Sequence, residues 1–171
     1  GEFVEARTNF EKIPSLYQFD QHASLAFRYG QDPKAAGGSM LAWNLWHLGY
    51  PDQAVDICEQ AVRDARELDH SNTRGYVEPF GAARIQLFRR DREGVEHYVN
   101  ATTALCEEQK LVFWLGFIKT FRGWILTEEG DYQAAIDIIQ EGLEELDAKS
   151  TLMFKPHGYA MLAQAYLGAG L

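Results

Sequence analysis

Residues 123–146, "GWILTEEGDYQAAIDIIQEGLEEL", read as helix yet carry glycine at 123, 130 and 142 and alanine at 135. Glycine inside a helix costs about 1 kcal/mol relative to alanine. Each one therefore answers a need, either a turn or the close approach of another backbone. The spacing recurs along the chain. Gly123 has counterparts at Ala42, Ala83 and Ala163, in steps of 41, 40 and 40 residues. Gly130 corresponds to Gly49 and Gly170, with Arg90 filling the slot between them, and Ala135 corresponds to Ala54 and Val95.

After each of these positions the apolar or small residues advance by four, three and four. The series are Ala54, Cys58, Ala61, Ala65; then Val95, Val99, Thr102, Cys106; then Ala135, Ile139, Gly142, Leu146. Such a series lies on one face of a 3.6-residue helix. The unit is thus helix, tight turn, helix, repeated about every 40 residues. Asp91 and Asp131 are placed to cap second helices, while Gly49 ends a helix and Pro51 begins one. Helices are expected at 34–48, 52–68, 73–89, 92–109, 112–129, 132–148 and 156–168. An N-terminal segment, 1–33, precedes repeats at 34–70, 71–110, 111–149 and a partial one at 150–171. Within that segment residues 4–18 form a helix interrupted at Pro14, with Phe10, Ile13 and Leu16 or Tyr17 inward. In the following loop, "AFRYGQDP", an aromatic plug and an ion pair between Arg28 and Asp32 are expected to fix the connector.

This arrangement resembles the tetratricopeptide repeat. The likeness rests on "MLAWNLWHLGYPDQAVDICEQAV", "FRGWILTEEGDYQAAIDIIQEGL" and the unfinished "YAMLAQAYLGAGL". Ala42, Leu45, Gly49, Ala54 and Ala61 match the family pattern, as do Gly123, Leu126, Gly130, Tyr132, Ala135 and Gly142. The middle copy departs from it, with Gln86, Arg90, Val95 and Thr102 at these slots, and the step exceeds the family's 34 residues. "SLAFRYGQDPKAAGGSMLAWNLWHLGYPDQAV" followed by "RGWILTEEGDYQAAI" also looks like the C-terminal repeats of bacterial signalling proteins that join a nucleotide cyclase domain to an NTPase. The resemblance implies an all-α, right-handed superhelix serving as the regulatory or interaction portion of a larger cytoplasmic protein. It further implies a groove along the first helices, lined by Trp43, Trp46, His47, Phe80, Arg84, Phe88 and Trp124. Partners so implied are a protein or peptide segment, another domain of the parent, or a second copy of the chain.

Composition narrows the choice of partner. The net charge of −9, from 16 basic and 25 acidic residues, disfavours nucleic acid and anionic membrane surfaces, which reward clustered Lys and Arg. No apolar run approaches the 18 or so residues of a membrane-spanning helix. Cys58 and Cys106 fall on helix stripes and read as buried, reduced core residues. The five histidines are scattered and form no HExxH or paired-cysteine arrangement, so no metal or other cofactor is expected. No GxxxxGK[ST] loop or GxSxG elbow occurs, and no catalytic residue is assigned. The acidic pairs Glu128-Glu129 and Glu144-Glu145 read as solvated faces. A small-molecule sensor is the second functional reading, with Arg84, His47 and Gln164 as its candidate polar groups.

Overall fold

The computed structural model describes residues 2–171, and among these every regular element is helical, with no strand. The chain divides into two units, one up to Arg89 and one from Arg90 onward. No helix among the described residues is long and apolar enough to cross a membrane.

The first unit begins with four short helices, α1 (Phe3–Phe10), α2 (Ile13–Leu16), α3 (Phe19–His22) and α4 (Leu25–Tyr29). A helical hairpin follows, α5 (Pro33–His47) and α6 (Pro51–Leu68). Next come α7 (Ser71–Tyr76), a π-helical segment (Val77–Ala83) and α8 (Arg84–Phe88). Small residues bring α5 and α6 together: a Cβ on Gly38 would lie 3.0 Å from the Cβ of Ala61. The π segment seats on both helices, since a Cβ on Gly81 would stand 2.6 Å from Ser39 Oγ and 3.6 Å from Cys58 Sγ. Expected as one plain helix over 73–89, this stretch instead widens around Pro79. Proline supplies no N–H and its ring crowds the carbonyl four residues back, a conflict that i→i+5 winding relieves.

The start of α5 is tied to the start of α7. Asp32 caps α5, its Oδ1 accepting from the Ala35 N–H at 2.8 Å while Oδ2 accepts from the Tyr17 hydroxyl at 2.6 Å. The Asp32 N–H donates to Thr73 Oγ1 at 2.9 Å, and Asn72 Nδ2 donates to the Gly30 carbonyl at 2.6 Å. Thr73 Oγ1 lies 2.8 Å from His70 Nδ1, which also accepts from the Thr73 N–H and so caps α7. This network replaces the expected ion pair, because Asp32 is spent on capping. Nor is there an aromatic plug: Phe27 and Tyr29 are 76% and 68% exposed, and Ala26 is the residue buried. The expected helix over 4–18 is broken into α1 and α2. Ile13 points at α5, its Cδ1 2.4 Å from where a Cβ on Gly37 would be, but Leu16 is 69% exposed.

The second unit consists of α9 (Arg92–Gln109), a 3-10 turn (Val112–Trp114), α10 (Leu115–Glu129), α11 (Tyr132–Ala148), a 3-10 turn (Leu152–Phe154) and α12 (Lys155–Gly168). Asp91 and Asp131 cap α9 and α11 through the N–H groups of Gly94 and Ala134, at 3.0 and 3.3 Å. The glycines of α10 and α11 face each other. A Cβ on Gly142 would stand 2.6 Å from the Gly116 carbonyl oxygen, and one on Gly123 would stand 2.2 Å from Ile139 Cγ1. Gly130 has φ +85 and no neighbour within 4 Å of a Cβ, so it serves the turn and not the contact. Phe117, Phe121, Trp124, Ile125, Ile139 and Leu146 are all no more than 2% exposed. Ala163 departs from its counterparts. Ala42, Ala83 and Gly123 are buried, whereas Ala163 is exposed. The acidic pairs are not simply solvated either. Glu128 and Glu129 pair with Arg90 and Arg92, and Glu145 pairs with Lys119 at 2.5 Å with its Oε2 buried.

Two predictions follow from these contacts. Gly142→Ala gains helix propensity but drives a methyl into a backbone oxygen that cannot rotate away, so it should lose about 1–3 kcal/mol in urea unfolding. Glu144→Ala, on an exposed position, should move stability by no more than about 0.5 kcal/mol. The second concerns His70, whose pKa burial pushes below its ordinary value while Asp32 raises it by less. The fold therefore favours the neutral ring, and the capping stability is present above the unfolded histidine's pKa and lost as pH falls through the lower folded one. Between about pH 7 and 5, His70→Gln should flatten the fall in melting temperature; an unchanged slope would show that the cap does not titrate.

Candidate functional site

Six of the seven expected groove residues lie in the first unit, and the structure gathers them into two clusters. The first is internal. Trp43, on α5, is half-buried and donates its Nε1–H to the Phe80 carbonyl at 3.1 Å. That carbonyl belongs to the π segment, whose shifted ladder lets a side chain satisfy it. The Trp43 and Phe80 rings are 4.2 Å apart, and Phe80 stacks on Tyr76 at 4.6 Å. The Arg84 guanidinium lies 4.1 Å from the Trp43 ring centre and 4.7 Å from that of Phe80. Arg84 is only 6% exposed, and burial pushes its pKa down to about 9, with the Tyr76 hydroxyl acting weakly the other way. It stays protonated at neutral pH, a desolvated cation set against π faces.

The second cluster reaches solvent. Trp46, at the end of α5, stacks on Phe88 with centres 5.5 Å apart; His47 lies 5.9 Å from Phe88 and 5.1 Å from Phe3. Trp46 and Phe88 are half-buried, and His47 is exposed. Trp46 also walls a cavity of about 180 Å³ shared with Pro51, Asp52, Val55, Asp56 and Arg89. An aromatic wall, an aliphatic residue and two carboxylates meet there, an arrangement suited to an apolar side chain with a basic neighbour.

The remaining expectations are corrected by burial. Phe80 and Trp124 are 0% and 1% exposed, and Arg84 is nearly as enclosed, so none of the three presents a surface. Trp124 sits in the second unit, and its indole is core. A helix with small residues on one side and rings on the other leaves the rings to fill the space beyond the crossing, which a periodicity reading does not separate from a groove. The sensor candidates are not gathered either. Arg84 is inside the ring cluster, His47 is at the rim, and Gln164 is exposed on α12. Cavities of about 170, 200 and 310 Å³ beside α1 and α2 are lined by other residues, among them Ile13, Pro14, Leu41 and Ile57.

Sequence reasoning missed Glu78. It is 0% exposed in the π segment, its Oε1 accepting from Arg66 Nε at 3.0 Å and from Arg74 Nε at 3.4 Å. The i,i+4 spacing of Arg74 and Glu78 was a usable signal. Cys58 and Cys106 are each 2% exposed, form no disulfide, and burial pushes the Cys58 thiol up to about 12. Among the described residues no group of three or more His, Cys, Asp or Glu side chains is placed to hold a metal ion.

Compared with known proteins, the chain matches no family model, no curated protein and no solved structure.

The two kinds of tryptophan should separate in experiment. Trp124→Ala should cost about 3–5 kcal/mol, as for buried aromatics. Trp46→Ala, giving up one half-buried ring stack, should cost about 1 kcal/mol. Equal losses in chemical denaturation would mean that Trp46 is core as well.

Proposed function

We propose that the chain is a tetratricopeptide-like repeat array acting as a non-catalytic interaction or regulatory module. The observation that carries this reading is a backbone one. Left-handed residues end the first helices at 49, 90, 130 and 170 and end the second helices at 69, 110 and 150. Five of the seven positions repeat a neighbour's φ at a step of 40 or 41 residues, though Asp69, Arg90, Lys110 and Ser150 are not glycine. A non-glycine in this region is strained, so its recurrence at a fixed interval supports one supersecondary unit repeated. The binding site in this reading is the rim at Trp46, His47 and Phe88 with its adjoining cavity, and the partner is a peptide or helix carrying an apolar anchor beside a basic residue. The resemblance noted in the sequence extends the proposal to a cytoplasmic parent, a bacterial signalling ATPase or nucleotide cyclase of which this is the regulatory part.

The test is selection of displayed peptides on the folded chain, followed by titration against Trp46→Ala. Selected peptides should share an apolar-plus-basic motif and lose about 1–2 kcal/mol of affinity on that substitution, the hot-spot scale. Peptides that bind Trp46→Ala equally well would reject the site. A thermal-shift screen serves the sensor alternative, because a small molecule bound to the native state raises its melting temperature. A metabolite that does so would replace the interaction reading with that one.

A further inference from the structure

The second unit holds a helix face with a known use and nothing on it. Gly116, Lys119, Thr120 and Gly123 form the side of α10 that meets α11. A Cβ on Gly116 would touch Glu145 Cβ at 2.9 Å; one on Gly142 would touch Lys119 Cβ at 3.0 Å and Thr120 Cγ2 at 3.3 Å. Forty residues on, the same positions of α12 are Pro156, Tyr159, Ala160 and Ala163, and all four are exposed. Leu167, in the register of Thr127, is 79% exposed. In α5 the equivalent residues Ala35, Ser39 and Ala42 are 0% exposed, and Gly38 lies against Ala61 of α6. The opposite side of α12 is packed: a Cβ on Gly158 would meet Leu143 at 2.7 Å, and Met161 and Ala165 are buried.

The face is also electrically blank. From Gly158 to Leu171 there is no Asp, Glu, Lys or Arg, in a chain where a quarter of the residues are charged. A helix laid there meets no unpaired charge, and small residues at 160 and 163 admit its backbone closely. The covering helices show what fits. α11 presents Ala135, Ile139, Gly142 and Leu146, while α6 presents Ala54, Cys58, Ala61 and Ala65.

We propose that the exposed face of α12 is a docking surface for an amphipathic helix of another polypeptide, one bearing a small–x3–aliphatic–x2–small stripe as α11 does. The helix seats its small residues over Ala160 and Ala163, packs its aliphatic side chains beside Tyr159 and Leu167, and turns its charged side to solvent. This surface is separate from the rim at Trp46, so either proposal can fail without the other.

The probe is a synthetic peptide of the α11 sequence, Tyr132–Ala148, stapled across its solvent side because a free helix of 17 residues is marginal in water. It is titrated into the full chain by fluorescence anisotropy, with hydrogen exchange recorded on α11 and α12. Saturable binding, protection of α12 with α11 unchanged, and a loss of about tenfold or more in affinity on Ala163→Arg are expected. The peptide's own Gly142→Leu should weaken binding similarly. No binding by about 1 mM peptide, or binding indifferent to Ala163→Arg, overturns the proposal. So does sedimentation showing a dimer that Leu167→Arg dissociates, since the face would then belong to a second copy.

Discussion

The Gly116 carbonyl oxygen occupies the space a Cβ on Gly142 would need, and this backbone contact sets how closely α10 and α11 run. Everything else in the second unit is built around that spacing. With no side chain on Gly123 or Gly142, Ile139 and Lys119 lie across the crossing, and the large rings of α10 are displaced from it. Phe117, Phe121 and Trp124 therefore become core. Close packing gains many small dispersion terms, and a single methyl at the crossing would forfeit them along the length of both helices. The α5–α6 pair uses the same device more loosely, with Gly38 against Ala61.

In the first unit the corresponding constraint is polar. Asp32, Thr73 and His70 link the beginnings of α5 and α7 through capping bonds, so one network starts two helices. Pro79 then denies α7 a regular continuation, and the π winding that results frees the Phe80 carbonyl for Trp43. That bond holds the indole against Arg84, and Arg84 in turn remains buried without leaving the aromatic faces. Glu78 is carried inward by the same segment and is neutralised by two arginines that keep partial contact with water. The burial of these ionic groups stabilises less than their number suggests, because desolvation offsets much of the Coulombic gain.

The packing also sorts surfaces into used and unused ones. Aromatic residues that share one sequence pattern divide into sealed rings, such as Phe80 and Trp124, and rim rings, such as Trp46 and Phe88. The small-residue column divides likewise, buried at Ala42, Ala83 and Gly123 and bare at Ala163. A position in the repeat thus has a fixed chemical character but a variable role, set by whether another helix lies on it.

Periodicity and punctuation alone placed α5, α6, α9, α10, α11 and α12 to within about three residues, because stripes, aspartate caps and left-handed glycines are local signals. The purpose of Gly123, Gly130 and Gly142 was legible for the same reason. Local signals did not show the π segment, since an i→i+5 ladder depends on what Val77–Ala83 packs against as well as on Pro79. Nor did they distinguish groove from core: burial is a property of what lies opposite a side chain, and Trp43, Trp46 and Trp124 look alike until their neighbours are in place. The connector at 26–33 was misread because Asp32 has several acceptors' worth of bonding to offer, and only the fold decided that a hydroxyl and two backbone groups, not Arg28, would take it. The sequence by itself determined where helices begin, turn and come close; the tertiary structure decided which faces meet, because that depends on residues far apart in the chain competing for the same contact.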